Sequence, residues 1–205
     1  VLAGDENQVS GEQGTLGYDG LRAAGASAYV LGNYCLDAAA TPSVDVVYDD
    51  VRELGALFGV SGKADEVVAG LRARVDRAAA LRGDRAPLRV AFVQSYGGRL
   101  FALSGSYYAA ILQAAGLTNE FADVGQNFAE VSAEQVLARQ PEAVFVLAEK
   151  GEDPQQVVAA TRSMLAGTVA ARDGRVYPLS SPEIAGGGVA IVDQIERAAQ
   201  AAWGS

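Results

Sequence analysis

The stretch Leu88-Arg89-Val90-Ala91-Phe92-Val93-Gln94 decides the fold. It is rich in Val and Phe without a polar alternation, the pattern of a strand covered on both faces. Strands of the same kind are expected at 143–147, which includes Val144, Phe145 and Val146, and at 175–179. Between and beyond them the spacing predicts helices at 107–115, 132–139, 154–164 and 189–202. Alternating strands and helices predict a parallel sheet in an α/β lobe, here residues 85–205, within the usual size of a domain.

Upstream the pattern is helical. Val47, Val51, Leu54 and Phe58 recur at helical spacing and end at Gly59. Ser61 is placed to cap a longer helix over 61–82, with Val67, Val68, Leu71, Val75 and Ala78 as its apolar stripe and Arg72 four residues before Asp76. At about 1.5 Å per residue that helix extends roughly 30 Å, which suits a strut between lobes. Residues 46–84 are therefore expected to be a helical segment. Residues 1–45 begin with Val1-Leu2-Ala3-Gly4, pass a polar loop to Tyr18 and a short helix near 20–24, and reach an apolar run at 26–31. Strand, helix and strand with short links form a βαβ unit, too small to stand alone and expected to be part of a larger lobe. A first residue inside a buried strand, with no starting Met, suggests a mature or trimmed fragment.

The 205 residues are 50% hydrophobic, enough for one sizeable core or two small ones. No run of about 18 apolar residues appears, and no leader with a small-residue cleavage site. Net charge −9 and a pI near 4.5 argue against nucleic acid as a partner, because its phosphates are repelled. The same anionic surface discourages self-association, so a monomer is expected. Cys35 is the single cysteine, a buried free thiol or the partner of a cysteine elsewhere. Histidine is absent, which removes His-based zinc sites, Ser-His-Asp and Cys-His nucleophiles, and the usual proximal haem ligand.

Catalytic templates fail one by one. Gly59-Val60-Ser61-Gly62-Lys63 resembles the end of a phosphate loop, but Ala64 stands where the hydroxyl belongs. Gly186-Gly187-Gly188 precedes a helix, yet Ile191 takes the third glycine position of a dinucleotide fingerprint. Gly105-Ser106-Tyr107 is no nucleophile elbow, and a serine here has no histidine to serve as base. No catalytic residue, metal ligand or cofactor of its own is assigned.

The positions just after strands are more informative, since open parallel sheets bind ligands beyond their carboxyl ends. The first strand leads to Asp5, Glu6, Asn7 and Tyr18; the second to Asn33 and Tyr34; the 88–94 strand to Gln94, Ser95, Tyr96 and Arg99. Later strands lead to Glu149-Lys150 and to Ser180, Ser181 and Glu183. Tyr offers a flat apolar face with a hydroxyl tip, and Arg a fork for anionic oxygens. Tyr18, Asn33, Tyr34, Tyr96, Arg99 and Glu183 are the candidate ligand contacts, suited to a bulky, partly anionic organic molecule. Each taken singly also fits an ordinary solvated loop. Ser132-Ala133-Glu134-Gln135 forms a capping box, with Glu134 in the first turn where the helix dipole favours a carboxylate.

The run Asn127-Phe128-Ala129-Glu130-Val131-Ser132-Ala133-Glu134-Gln135-Val136-Leu137, followed by Pro141-Glu142-Ala143-Val144-Phe145-Val146, resembles the carboxy-lobe signature of periplasmic binding proteins of the siderophore, haem and cobalamin class. The resemblance continues through Gly105-Ser106-Tyr107-Tyr108, Ala115-Gly116-Leu117-Thr118-Asn119 and Gly174-Arg175-Val176-Tyr177, and upstream through 48–59. The motifs are soft singly, and their shared order carries the likeness. It implies two Rossmann-like α/β lobes bridged by a long helix, with the amino-terminal lobe about half missing from this chain. It implies a non-enzymatic binding protein of an ABC importer, taking a ferric siderophore or similar metal chelate, a corrinoid, or haem held by Tyr. It also implies one exposed Glu per lobe that docks on arginines of the membrane permease. Glu134 matches the carboxy-lobe one, and its counterpart would precede Val1. The 14 Arg against Lys63 and Lys150 suggest a GC-rich genome such as an actinobacterium's, where a cell-surface lipoprotein is expected, or otherwise a periplasmic protein. Two rivals remain at this level: an α/β enzyme using Tyr96, Arg99 and Glu183, and a signalling module that docks on a receptor.

Overall fold

The computed structural model describes residues 2–3, 9–12, 14–32, 43–124, 126–185 and 188–204. Asn33, Tyr34, Cys35 and the 5–7 segment lie outside the described residues. At the amino end, β1 (Leu2–Ala3) pairs in parallel with β2 (Tyr29–Val30), and α1 (Tyr18–Ala23) connects them, as expected of a βαβ unit.

Next come α2 (Asp45–Leu57) and α3 (Ser61–Ala80), packed as a helical hairpin. Gly59, at φ 69°, turns the chain, and Gly55 lets the helices touch because a side chain there would run into Ala64. Two local expectations fail. Val60, not Ser61, occupies the cap position of α3, without a side-chain cap bond. Arg72 reaches across to Asp45 at 3.4 Å and lies over the Tyr48 ring rather than meeting Asp76.

The helix expected as a strut is laid along the carboxy-terminal unit. Its buried stripe is Ala64, Val68, Leu71 and Ala78, while Val67 turns outward. Val68 and Leu71 share one core with Phe92, Phe145, Ile191 and Ile195.

That unit is built on β3 (Leu88–Tyr96), β4 (Arg99–Leu103), β5 (Leu117–Asn119), β6 (Phe128–Val131), β7 (Ala143–Ala148) and β8 (Val176–Ser180), in the order β6-β4-β3-β7-β8 with β5 also paired to β3. The parallel sheet expected from sequence is found for β3, β5, β7 and β8, whereas β4 pairs antiparallel with both β3 and β6. β4 turns back on β3 because Gly97 and Gly98, both at positive φ, close a two-residue hairpin after Tyr96. All six residues of β7 are buried. One face of the sheet packs on α3, α4 (Ser106–Ala114) and α9 (Ile191–Trp203). The other packs on α5 (Ala133–Arg139), α6 (Pro154–Met164) and α7 (Val169–Arg172). A short α8 (Ser181–Ala185) follows β8. Two-sided cover explains why the central strands carry no polar alternation.

The segments that carried the family likeness meet in space. Asn127 packs onto Gly105, leaving no room for a side chain there, and Ser104 N donates to Asn127 O at 3.2 Å. The capping box on α5 is complete: Gln135 N donates to Ser132 Oγ, and Ser132 N to Gln135 Oε1.

Candidate ligand-binding edge

Because β3, β7 and β8 are parallel, their carboxyl ends emerge along one edge of the sheet. Gln94 ends the buried part of β3, Glu149 follows β7, and Ser181 follows β8. These three are joined. The Gln94 side-chain amide donates to Glu149, and Ser181 Oγ donates to the same carboxylate at 2.9 Å. Glu149 N donates in turn to Glu152 Oε2 at 2.7 Å.

Gln194 on α9 completes this rim from below. It is fully buried, donates to Glu183, and accepts from Ser180 N at 2.9 Å. Gln194 was missed in the sequence, although it sits among Ile191, Val192, Ile195 and Ala198 on the buried stripe of α9. A polar residue on an apolar stripe needs a partner, and that is the signal it carried.

Tyr96 and Arg99 stand beyond this rim, directly opposite each other at the base of the Gly97-Gly98 turn. Tyr96 is 66% exposed. Arg99, expected to be a free fork for anionic oxygens, is bound to Glu130 on β6, with Nε at 2.8 Å from Oε1 and the second nitrogen on Oε2. Strand register puts Glu130 opposite Phe101 and Phe128 opposite Leu103, so all these side chains share the sheet face that carries Gln94 and Tyr96. Phe101 and Phe128 stack at 4.4 Å, and Arg99 lies over the Phe101 ring. Phe101 was not singled out in the sequence, and Phe128 and Glu130 entered only within the family-like run and not as site residues, because their strands alternate too briefly to stand out from loop.

A cleft of about 420 Å³ adjoins the rim, lined among others by Glu149, Lys150, Glu152, Pro182, Glu183 and Arg197. Clefts of this size suit a small organic molecule. A larger groove of about 750 Å³ lies between α3 and α9, but its lining is helix flank and includes no strand end. Glu183 thus joins the rim, while Tyr18 stands on α1 in the amino-terminal unit, 46% exposed. Glu134 lies elsewhere, exposed in the first turn of α5. The Ser132 hydroxyl, then the backbone amide of Glu134 itself, holds its carboxyl below the usual range, so it stays ionised. Among the described residues no helix is long and apolar enough to cross a membrane, and no cluster of acidic or thiol groups is arranged to hold a metal ion.

A mixed sheet covered on both faces, with a polar and aromatic edge at its strand ends, defines an α/β protein with a candidate ligand-binding edge. A family model described as periplasmic binding protein matches residues 27–183, and the chain belongs to that family. Such proteins work outside the cytoplasm and serve transport. Among solved structures it is similar to a periplasmic binding protein from Veillonella parvula, with 23% identity and a TM-score of 0.82 over 96% of this chain and 68% of that one. It is also similar to an ABC-type Fe3+-hydroxamate transport system protein from Saccharomonospora viridis, with 26% identity and a TM-score of 0.74 over 92% and 66%. A third is the periplasmic heme-binding protein RhuT from Roseiflexus, with 25% identity and a TM-score of 0.67 over 88% and 70%. No curated protein matches it significantly.

Proposed function

We propose that this chain is the capturing component of an ABC importer and takes a ferric siderophore or a related metal chelate to the permease. The carrying observation is the edge itself: Tyr96, Arg99, Phe101 and Phe128 on one face of β3, β4 and β6, next to the Gln94–Glu149–Ser181 rim. Exposed rings and a satisfied polar rim suit a bulky organic chelate, which needs apolar area and a few fixed hydrogen bonds. The likeness to a protein named for Fe3+-hydroxamate transport supports this cargo, and the likeness to a heme-binding one keeps haem in the same range. Tyr18, Asn33 and Tyr34 are proposed as contacts from the amino-terminal side, and Glu183 from the rim. Glu134 is proposed as the permease contact, because its carboxylate is exposed and ionised. A surface lipoprotein, monomeric in solution, is the proposed form.

The test is isothermal titration calorimetry of the full-length protein with ferric siderophores, haem and a corrinoid. Saturable binding of at least one, weakened by Tyr96→Ala, is expected. No saturable heat from any of them overturns the proposal. Calorimetry is preferable to intrinsic fluorescence, since the single Trp203 is buried and donates to Ala115 O at 2.8 Å, on the helix end remote from Gln194.

A further inference from the structure

The charge of the edge narrows the cargo, an inference that rests on the binding function proposed above. Arg99 turns the Nε edge of its fork to Glu130 in a half-exposed pair, and its guanidinium is laid 5.6 Å from the Phe101 ring centre. A bidentate pair of this kind fills the guanidinium edge that would otherwise meet a carboxylate or catecholate. Farther along the same edge, Glu149, Glu152 and Glu183 face the cleft with Lys150 and Arg197. Carboxylates therefore outnumber cations once Glu130 and Arg99 are included. On the face that carries this pair stand the rings: Phe128 is 40% exposed and stacked on Phe101, and Tyr96 is more exposed still.

We infer that this edge selects a neutral or cationic metal chelate, held by its apolar flank on Tyr96, Phe101 and Phe128, and rejects a polyanionic one. An anionic chelate seated here has to displace Glu130 from Arg99 or lie beside the carboxylates of the rim, and like charges drawn together repel. Glu130 is thus a specificity-determining residue, acting by occupying Arg99.

Calorimetric titration of the full-length protein tests this with two groups of ligand. One holds a singly cationic ferric trihydroxamate, an uncharged ferric trihydroxamate and a corrinoid; the other holds a trianionic ferric tris-catecholate and haem, which carries two carboxylates. The best ligand is expected in the first group, with the second weaker by about 30-fold or more. Glu130→Gln frees Arg99 and is expected to narrow that gap by about tenfold. A second group that binds as tightly as the first in the native protein overturns charge selection while leaving the binding function intact. Binding by neither group overturns the binding function and this inference with it. A gap unchanged in a folded Glu130→Gln protein overturns the role of Glu130, and the native protein's ranking decides charge selection even if that variant does not fold.

Discussion

Arg74 of α3 and Glu196 of α9 meet across 122 residues of chain, with Nε 2.9 Å from Oε1 and a further bond to Oε2. Asp193 takes a third bond from the same guanidinium. This fork fastens the long helix to the closing helix. The pair is partly exposed, so its worth is modest, about 1 kcal/mol. Arg74→Met is expected to lose about that much at pH 7, measured by urea unfolding. Arg74 holds the Glu196 carboxyl below its usual value, so its contribution is present above the unfolded carboxylate pKa of about 4.3 and is lost as pH falls through the lower folded value. The native and Arg74→Met proteins should therefore converge in stability below about pH 4.

Asp50 behaves in the opposite sense. It is buried and accepts from Gly32 N at 2.9 Å, while Tyr29 Oη lies 2.7 Å from it and 2.9 Å from Glu53. Burial pushes its carboxyl up despite these bonds, so the native state favours the protonated form. Stability from that preference is full at low pH and is lost as pH rises through the raised folded value. Asp50→Asn keeps the acceptor without the charge. Its stability relative to the native protein should improve from pH 4 to pH 7, tracked by thermal melting; a constant difference across that range would contradict this account.

Gln194→Leu leaves Ser180 N without its acceptor and Glu183 without its donor, both part-buried. The expected cost is about 1–3 kcal/mol in chemical unfolding. Chelate affinity should fall as well, because the rim beneath the cleft loses its support. Glu183→Gln, which keeps an acceptor for Gln194, should cost less stability than Gln194→Leu.

Glu134→Arg separates capture from delivery. Its side chain is exposed and the Ser132–Gln135 box remains. Ligand affinity should be unchanged by calorimetry, while cellular uptake of the chelate falls by about tenfold through charge reversal at the permease contact. Unchanged uptake would remove Glu134 from that role.

Phe92 touches both Tyr108 and Phe145 edge-on and is wholly buried at the centre of the sheet. Phe92→Ala should cost about 3–5 kcal/mol, read from the unfolding midpoint.

The parallel strands were legible because burial on both faces writes an uninterrupted apolar run, as in Val144-Phe145-Val146. The long helix was legible from its stripe, though not its resting place, since Val68 and Leu71 look alike whether they cover one unit or span two. The hairpin strand β4 was not legible. Arg99, Phe101 and Phe128 lie on a half-open face, where short strands show neither a continuous apolar run nor a long alternation. Reading Arg99 as a free cation failed for a related reason: Glu130 comes 31 residues later, and only antiparallel register brings it alongside. Asn33 and Tyr34 lie outside the described residues, so their role stands as proposed.

Val47 and Tyr48 of α2 are sealed into the same core as Val68 of α3, Phe92 of β3 and Ile195 of α9. The helical hairpin is thus welded to the larger sheet and cannot swing as an independent arm. The amino-terminal unit is tied to the same hairpin where Asp50 accepts from Gly32 N and lies 2.7 Å from Tyr29 Oη, so its described residues are joined to that rigid base by hydrogen bonds.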